Sequence, residues 1–247
     1  KKKIYKDKNY YLHLNKDKNY KIYSNKKMFF SDTFPKNFVN KEGIKLNLVL
    51  FVDGLSSKLY ESENKNLIKY TNNFFEDGVK FKNHYCNSEW SLPSGANIFS
   101  GCHFHKHKLF HNNKFNVINE NLKLLPEIFD EQKYMTCMIN GSHRLNPSYG
   151  FSKGFKRTLY KQGMNSMEVI KNFFEFKKLF KNTNKFLWLT FFDLHEAFNY
   201  NTILSNFMMT DNKNKTKIDE RYNDQYIKSY FDECKNLDEN LKIIYDY

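Results

Sequence analysis

The stretch Glu89-Trp90-Ser91-Leu92-Pro93-Ser94-Gly95-Ala96-Asn97-Ile98-Phe99-Ser100-Gly101 sets a hydroxyl just before a helix that proline opens and glycine closes. Proline is favoured in a first helical turn and glycine just past the last. The spacing therefore predicts a helix from Pro93 to Ser100 with Ser91 at its mouth. Free N–H groups and the positive end of the helix dipole favour a bound phosphate, sulfate or oxyanion there. A nucleophile held at an anion site is what transfer of a charged ester group requires. The rival reading is a serine that only caps a surface helix, the commoner use of Ser-x-Pro.

Upstream, Leu46 to Val52 is a short, mostly apolar run that ends at Asp53-Gly54. Such a run bounded by a turn reads as a buried strand, and a carboxylate at its C-terminal end lies where open α/β sheets gather ligands. The plain alternative is an Asp-Gly turn pair. Leu67, Ile68, Phe74 and Phe75 then recur at helical spacing up to Asp77-Gly78, and Val79, Phe81 and Tyr85 alternate as in a strand. Beyond Ser91, a helix is expected around Leu124 to Phe129 and a strand from Tyr134 to Ile139. A helix from Ser166 to Phe180 and a strand from Phe186 to Phe192 follow. Helices alternating with apolar strands predict a mostly parallel α/β sheet.

This order of strand, Asp, helix, Gly, strand, Ser and helix resembles the sulfatase branch of the alkaline phosphatase superfamily. The likeness rests on Glu76-Asp77-Gly78-Val79-Lys80-Phe81-Lys82-Asn83-His84-Tyr85 followed by Trp90 to Gly101. Three later segments agree in order: His105-Lys106-His107, Gly150 to Phe155, and Phe186 to Glu196. It covers about residues 44 to 247. It implies an alkaline-phosphatase-like α/β fold with a mostly parallel central sheet and helices on both faces, truncated on its C-terminal side. The strands ending at Asp53 and Phe192 are expected to be central. Asp53, Ser91 and His195 are expected to converge at one edge of the sheet.

The resemblance also implies roles. Asp53 and Ser91 would share a divalent metal ion (calcium, manganese or zinc), with Ser91 as nucleophile. His195, at the end of a hydrophobic strand, would bind an ester oxygen or protonate the leaving group; a structural histidine bonded to Asp193 is the rival reading. His143 matches a substrate-side histidine, and Arg144 stands in for an absent lysine; a plain loop histidine fits equally well. Of His103, His105, His107 and His111, His107 alone matches a family position, as a substrate-side group or a support behind one. The first three alternate and would share one face of an extended segment. A zinc site would also want a carboxylate or cysteine at ligand spacing, and none accompanies them.

Two departures bear on the reaction. Formylglycine sulfatases carry an arginine two residues after the motif proline, where this chain has Gly95. They also use adjacent aspartates at the first metal site, where Asp53 is followed by Gly54. Both favour an unmodified seryl nucleophile acting on phosphate or sulfate esters, as hydrolase or transferase. A formylglycine sulfatase and a catalytically inactive binding protein of the same fold are the alternatives. The expected partner is an anionic ester substrate, on a surface glycan or a lipid headgroup.

Composition bounds the rest. The 247 residues suffice for one large α/β core, and 25 Phe and 17 Tyr supply its apolar material. Residues 1 to 43 read as a β-rich extension, with a hairpin around the polar turn Asn15 to Asn19; residues 44 to 247 read as the catalytic core. The net charge of +13 is spread along the chain without a nucleic-acid signature, so a solvated lysine-rich surface is expected and no nucleic acid. No apolar run reaches membrane-spanning length, and no secretory signal is visible; cytoplasm and periplasm both stay open. The four cysteines, Cys86, Cys102, Cys137 and Cys234, form no CxxC pair, which leans towards a reducing compartment. The apolar stripe from Tyr222 to Ile244 reaches the end without a stop signal, which reads as a piece of a longer protein. The resemblance then places further metal ligands beyond Tyr247 and implies little esterase activity for these 247 residues alone.

Overall fold

A computed structural model describes residues 14–25, 43–60, 64–110, 116–196 and 220–247. Its centre is a four-stranded parallel sheet: β1 (Leu46–Val52), β2 (Met135–Asn140), β3 (Arg157–Tyr160) and β4 (Lys185–Phe191), in the spatial order β1-β4-β2-β3. Val52 pairs with Phe191, and Met135 with Lys185. Every residue of β2 and β4 is buried. That explains their continuous apolar runs, because a parallel strand inside a sheet is covered on both faces.

The period-two alternation of strand side chains splits the core into two layers. Cys137, Ile139, Leu187 and Leu189 face one side. There they meet Val169, Ile170, Phe173 and Phe176 of α5 (Ser166–Leu179) and Leu237, Leu241 and Ile244 of α6 (Glu220–Tyr245). Met138 and Trp188 face the other side and meet Leu92, Ala96 and Phe99 of α2 (Ser91–Ser100). Trp188 lies 4.4 Å from Phe99 and 5.4 Å from Phe51 between ring centroids, so it ties α2 to β1 through β4. Three shorter helices complete the described set: α1 (Lys69–Phe74), α3 (Phe104–His107) and α4 (Leu125–Glu131). Among the described residues, no helix is long and apolar enough to cross a membrane.

Two sequence expectations need correction. The strand expected across Val79 to Tyr85 is absent: Val79, Phe81 and Tyr85 are 84%, 78% and 82% exposed, outside regular structure. Alternation marks a strand only when a partner covers one face, and no described strand lies alongside. β1 is also not central; it is an end strand of the described sheet, with Leu48 to Val52 half-buried, while β4 is central. At the N-terminus the polar turn is present, closed by the Lys18 N–H to the Asn15 carbonyl at 3.2 Å, but residues 14–25 contain no strand. The rest of the expected hairpin lies outside the described residues.

Candidate active site

Asp53 directly follows β1, and its backbone N–H donates to the Phe191 carbonyl of β4 at 2.9 Å. That bond extends the ladder by one residue and sets the carboxylate at the C-terminal edge of the sheet. Ser91 reaches the same edge from α2, as the first residue of the helix. Its Oγ lies 2.9 Å from Asp53 Oδ1 and 2.8 Å from Oδ2, so its single proton is shared between both carboxylate oxygens. The two residues are 8% and 9% exposed.

This geometry separates the two readings of Ser91. The N-cap of α2 is Trp90, with extended backbone and no side-chain cap, so Ser91 is not spent on capping. At the far end Gly101 takes the left-handed conformation (φ 64°) and returns its N–H to the Asn97 carbonyl at 2.8 Å. Among the described residues Ser91 is the one side chain bonded to the Asp53 carboxylate. The Asp53 carboxylate is buried, with a hydroxyl as its side-chain partner. Its oxygens and the Ser91 hydroxyl fit one side of a divalent cation's oxygen shell. No group of three or more His, Cys, Asp or Glu suited to a metal occurs among the described residues.

His143 and Arg144 sit in a 3-10 turn (His143–Leu145) just past β2. Buried Asn140 shapes that loop: its Nδ2 donates to the carbonyls of Leu145 at 2.7 Å and Ser142 at 3.2 Å, and its Oδ1 accepts the Ser142 N–H at 2.8 Å. The His143 ring meets Phe192 edge-on at 5.8 Å. The Arg144 guanidinium lies 5.1 Å from the centre of the Trp90 ring, which places its charge next to the residue that precedes Ser91. Sequence reasoning missed both Asn140 and Trp90. The signals were a polar residue ending an apolar strand, and an aromatic directly before the key hydroxyl.

The histidine segment around His107 differs from the extended run in which its histidines would share one face. The segment is the short helix α3 rather than an extended strand, with the Lys106 and His107 N–H groups both bonded to the His103 carbonyl. His103 and His105 are exposed and stacked at 6.1 Å, whereas His107 is fully buried. His111 lies outside the described residues. His107 Nδ1 accepts the Leu109 N–H at 3.1 Å, so in the neutral ring Nε2 carries the proton and donates to Asn97 Oδ1 at 3.0 Å. Asn97 Nδ2 in turn reaches Ser88 Oγ at 3.4 Å. Both ring nitrogens are therefore spent inside the protein. His107 thereby ties α3 to Asn97 of α2, the helix that begins at Ser91.

Burial, with His105 and His103 adding positive charge nearby, lowers the His107 pKa from 6.5 to about 4. The unfolded chain therefore takes up this proton at a higher pH than the folded one. The stability His107 contributes is complete above pH 6.5 and is lost as the pH falls towards 4. Melting curves at about pH 7 and about pH 4.5 test this, with a smaller pH-induced drop in midpoint expected for His107→Gln than for the parent. Equal drops in the two proteins would remove His107 from the acid response.

His195 belongs by its backbone to the 3-10 turn Asp193–Glu196 that follows β4, at the same sheet edge; its side chain lies outside the described residues. Asp193 Oδ1 accepts the Ser166 N–H at 3.0 Å at the start of α5, and burial raises its pKa. Asp193 is thus engaged in holding that helix.

The sulfatase family model matches residues 45–247. The chain belongs to the sulfatase family. Solved structures agree on the alkaline-phosphatase-like fold of this sulfatase-family chain. The lipoteichoic acid synthase LtaP from Listeria monocytogenes superposes with a TM-score of 0.57 at 11% identity, over 81% of this chain and 50% of its own. The C-terminal periplasmic domain of EptC from Escherichia coli, in complex with zinc, gives 0.58 at 9% identity, over 84% and 59%. An alkaline phosphatase superfamily protein from Vibrio parahaemolyticus gives 0.56 at 17% identity, over 84% and 51%. The chain thus spans between half and three fifths of the length of these structures. No curated protein matches it by sequence.

Proposed function

We propose that this sulfatase-family chain carries a seryl-nucleophile site that transfers the phosphoryl or phosphoalcohol group of an anionic ester, on a surface glycan or a lipid headgroup. One observation carries the reading: the Ser91 hydroxyl at the start of α2 is bonded to both oxygens of a buried carboxylate instead of capping its helix. Ser91 Oγ forms the new bond to phosphorus as the bond to the leaving alcohol breaks in line, and its proton passes to Asp53. The positive end of α2 and Arg144, seated on Trp90, offset the charge on the non-bridging oxygens. His143 orients one of those oxygens, and His195 returns a proton to the leaving alkoxide. A divalent cation (calcium, manganese or zinc) bound at Asp53 and Ser91 would lower the pKa of the hydroxyl and neutralise ester oxygens. Water or an acceptor alcohol then releases the seryl ester.

Support for an unmodified serine comes from Gly95 and Gly54, which stand where formylglycine sulfatases keep an arginine and a second aspartate. Mass spectrometry of the Ser91 peptide tests the reading, before and after incubation of the protein with an aryl phosphate and manganese. The expected result is plain serine before and a phosphoryl adduct on Ser91 after. Loss of two hydrogens at Ser91 would instead identify formylglycine and a sulfuric ester hydrolase. An unmodified serine that never takes up the adduct would leave a binding protein of the same fold.

A further inference from the structure

We propose that Tyr230 of α6 is a positioning residue for Asp53. The inference rests on the reading of Asp53 as the carboxylate that serves Ser91. The chain turns sharply right after that carboxylate, with Gly54 at φ 83°, a conformation that side chains resist. Upstream, Asp53 is pinned by its N–H on the Phe191 carbonyl of β4. Downstream, a side-chain hydroxyl holds the turn. Tyr230 Oη donates to the Gly54 carbonyl at 2.9 Å and accepts the Ser56 N–H at 2.8 Å. That single atom thus bonds a carbonyl and an N–H two residues apart in the turn.

The hydroxyl can hold the turn because α6 is itself fixed at a second point, to the start of α1. Two helical turns beyond Tyr230, Asp238 accepts the backbone N–H groups of Tyr70 at 2.8 Å and Thr71 at 2.9 Å, and the Thr71 hydroxyl at 2.7 Å. Leu237, Leu241 and Ile244 bury the helix against the sheet face. A rigid phenol on a helix anchored in this way fixes where Gly54 and Ser56 lie, and the backbone between two pinned points sets the direction of the Asp53 carboxylate. Its pairing with both lone-pair directions of Asp53 and a single Ser91 oxygen depends on that direction. Contacts of this kind behind a reactive or ligating group commonly change its affinity by about 10–100-fold.

Tyr230→Phe in the full chain keeps the ring and removes the hydroxyl. Three readouts apply: the thermal midpoint, the Asp53 side-chain carboxyl ¹³C resonance, and binding of manganese alone by water proton relaxation, with Asp53→Asn alongside. The expected result is a midpoint within about 5 °C of the parent, a displaced Asp53 resonance, and manganese affinity lowered about tenfold or more. A purely structural tether would lower the midpoint and leave the Asp53 signal where it was. An unmoved Asp53 resonance overturns the proposal, whatever the midpoint does. Manganese binding that is absent from the parent, or that survives Asp53→Asn, removes the metal from the proposed function; the Asp53 resonance then decides Tyr230 by itself.

Discussion

Ser91→Ala in the intact protein is expected to lower turnover of an aryl phosphate at least about a thousandfold, while the fold stays in place. On the proposed reading the large effect follows from covalent catalysis: without Oγ no bond to phosphorus forms, and water would have to attack at a site shaped around a serine. The structural cost is smaller. Asp53 loses its described hydroxyl partner, and a buried acceptor left without its donor costs about 1–3 kcal/mol. At about 2–4 °C per kcal/mol for a chain of this size, the midpoint falls by about 2–12 °C. The position of Ser91 at the start of α2 is fixed by Leu92, Ala96 and Phe99 in the core, none of which the substitution touches. Steady-state kinetics and a melting curve on the same preparation separate chemistry from folding. Turnover within tenfold of the parent would place the nucleophile elsewhere and leave the Ser91–Asp53 pair a structural contact.

The parts of the site that local chemistry dictates were legible in the sequence. Leu46 to Val52 followed by Asp53 reads as a strand with a carboxylate at its end, though β1 is less buried than its apolar run suggests, and Pro93 with Gly101 frames a helix whatever the rest of the chain does. The Ser91–Asp53 hydrogen bond follows once both elements reach one sheet edge. Strand order was not legible, because β1 and β4 carry equally apolar runs and their pairing joins Leu46 to Lys185 across the sequence. Local patterns also misled. Val79, Phe81 and Tyr85 alternate without a described partner strand. His103, His105 and His107 alternate along a backbone that instead closes a helical turn on the His103 carbonyl. Contacts between distant loops left almost no trace: Arg144 on Trp90 and Tyr230 on the Asp53 turn each join residues whose local context asks only for a surface cation and a core aromatic.

Gly95→Arg, which restores the arginine that directs formylglycine formation in related enzymes, is expected to destabilise this chain by about 3 kcal/mol or more. Gly95 lies in α2 one turn after Ser91, and its missing side chain is filled by a neighbour. A Cβ there would stand 2.3 Å from Leu145 Cδ2 and 3.7 Å from Phe151 Cε1. Leu145 is fully buried and its carbonyl is held by Asn140 at 2.7 Å, so its backbone is fixed and the methyl can withdraw only by a rotamer change inside a packed core. Gly95→Ala alone overpacks this contact at a cost of about 1–3 kcal/mol, offset in part by about 1 kcal/mol of helix propensity. Arginine adds a long side chain and a charge directed among Leu145 and Phe151, where no described carboxylate is bonded to receive it. At about 2–4 °C per kcal/mol the midpoint should fall by roughly 10 °C. Leu145→Ala opens the space, so the Gly95→Ala/Leu145→Ala pair should be less destabilised than the sum of its single variants. An unchanged midpoint for Gly95→Arg, or strict additivity in the alanine pair, would show that α2 has room beside Ser91. Otherwise the departure from the formylglycine motif is built into the packing that holds Ser91: the space beside Gly95 is filled by Leu145, on the same loop that carries His143 and Arg144.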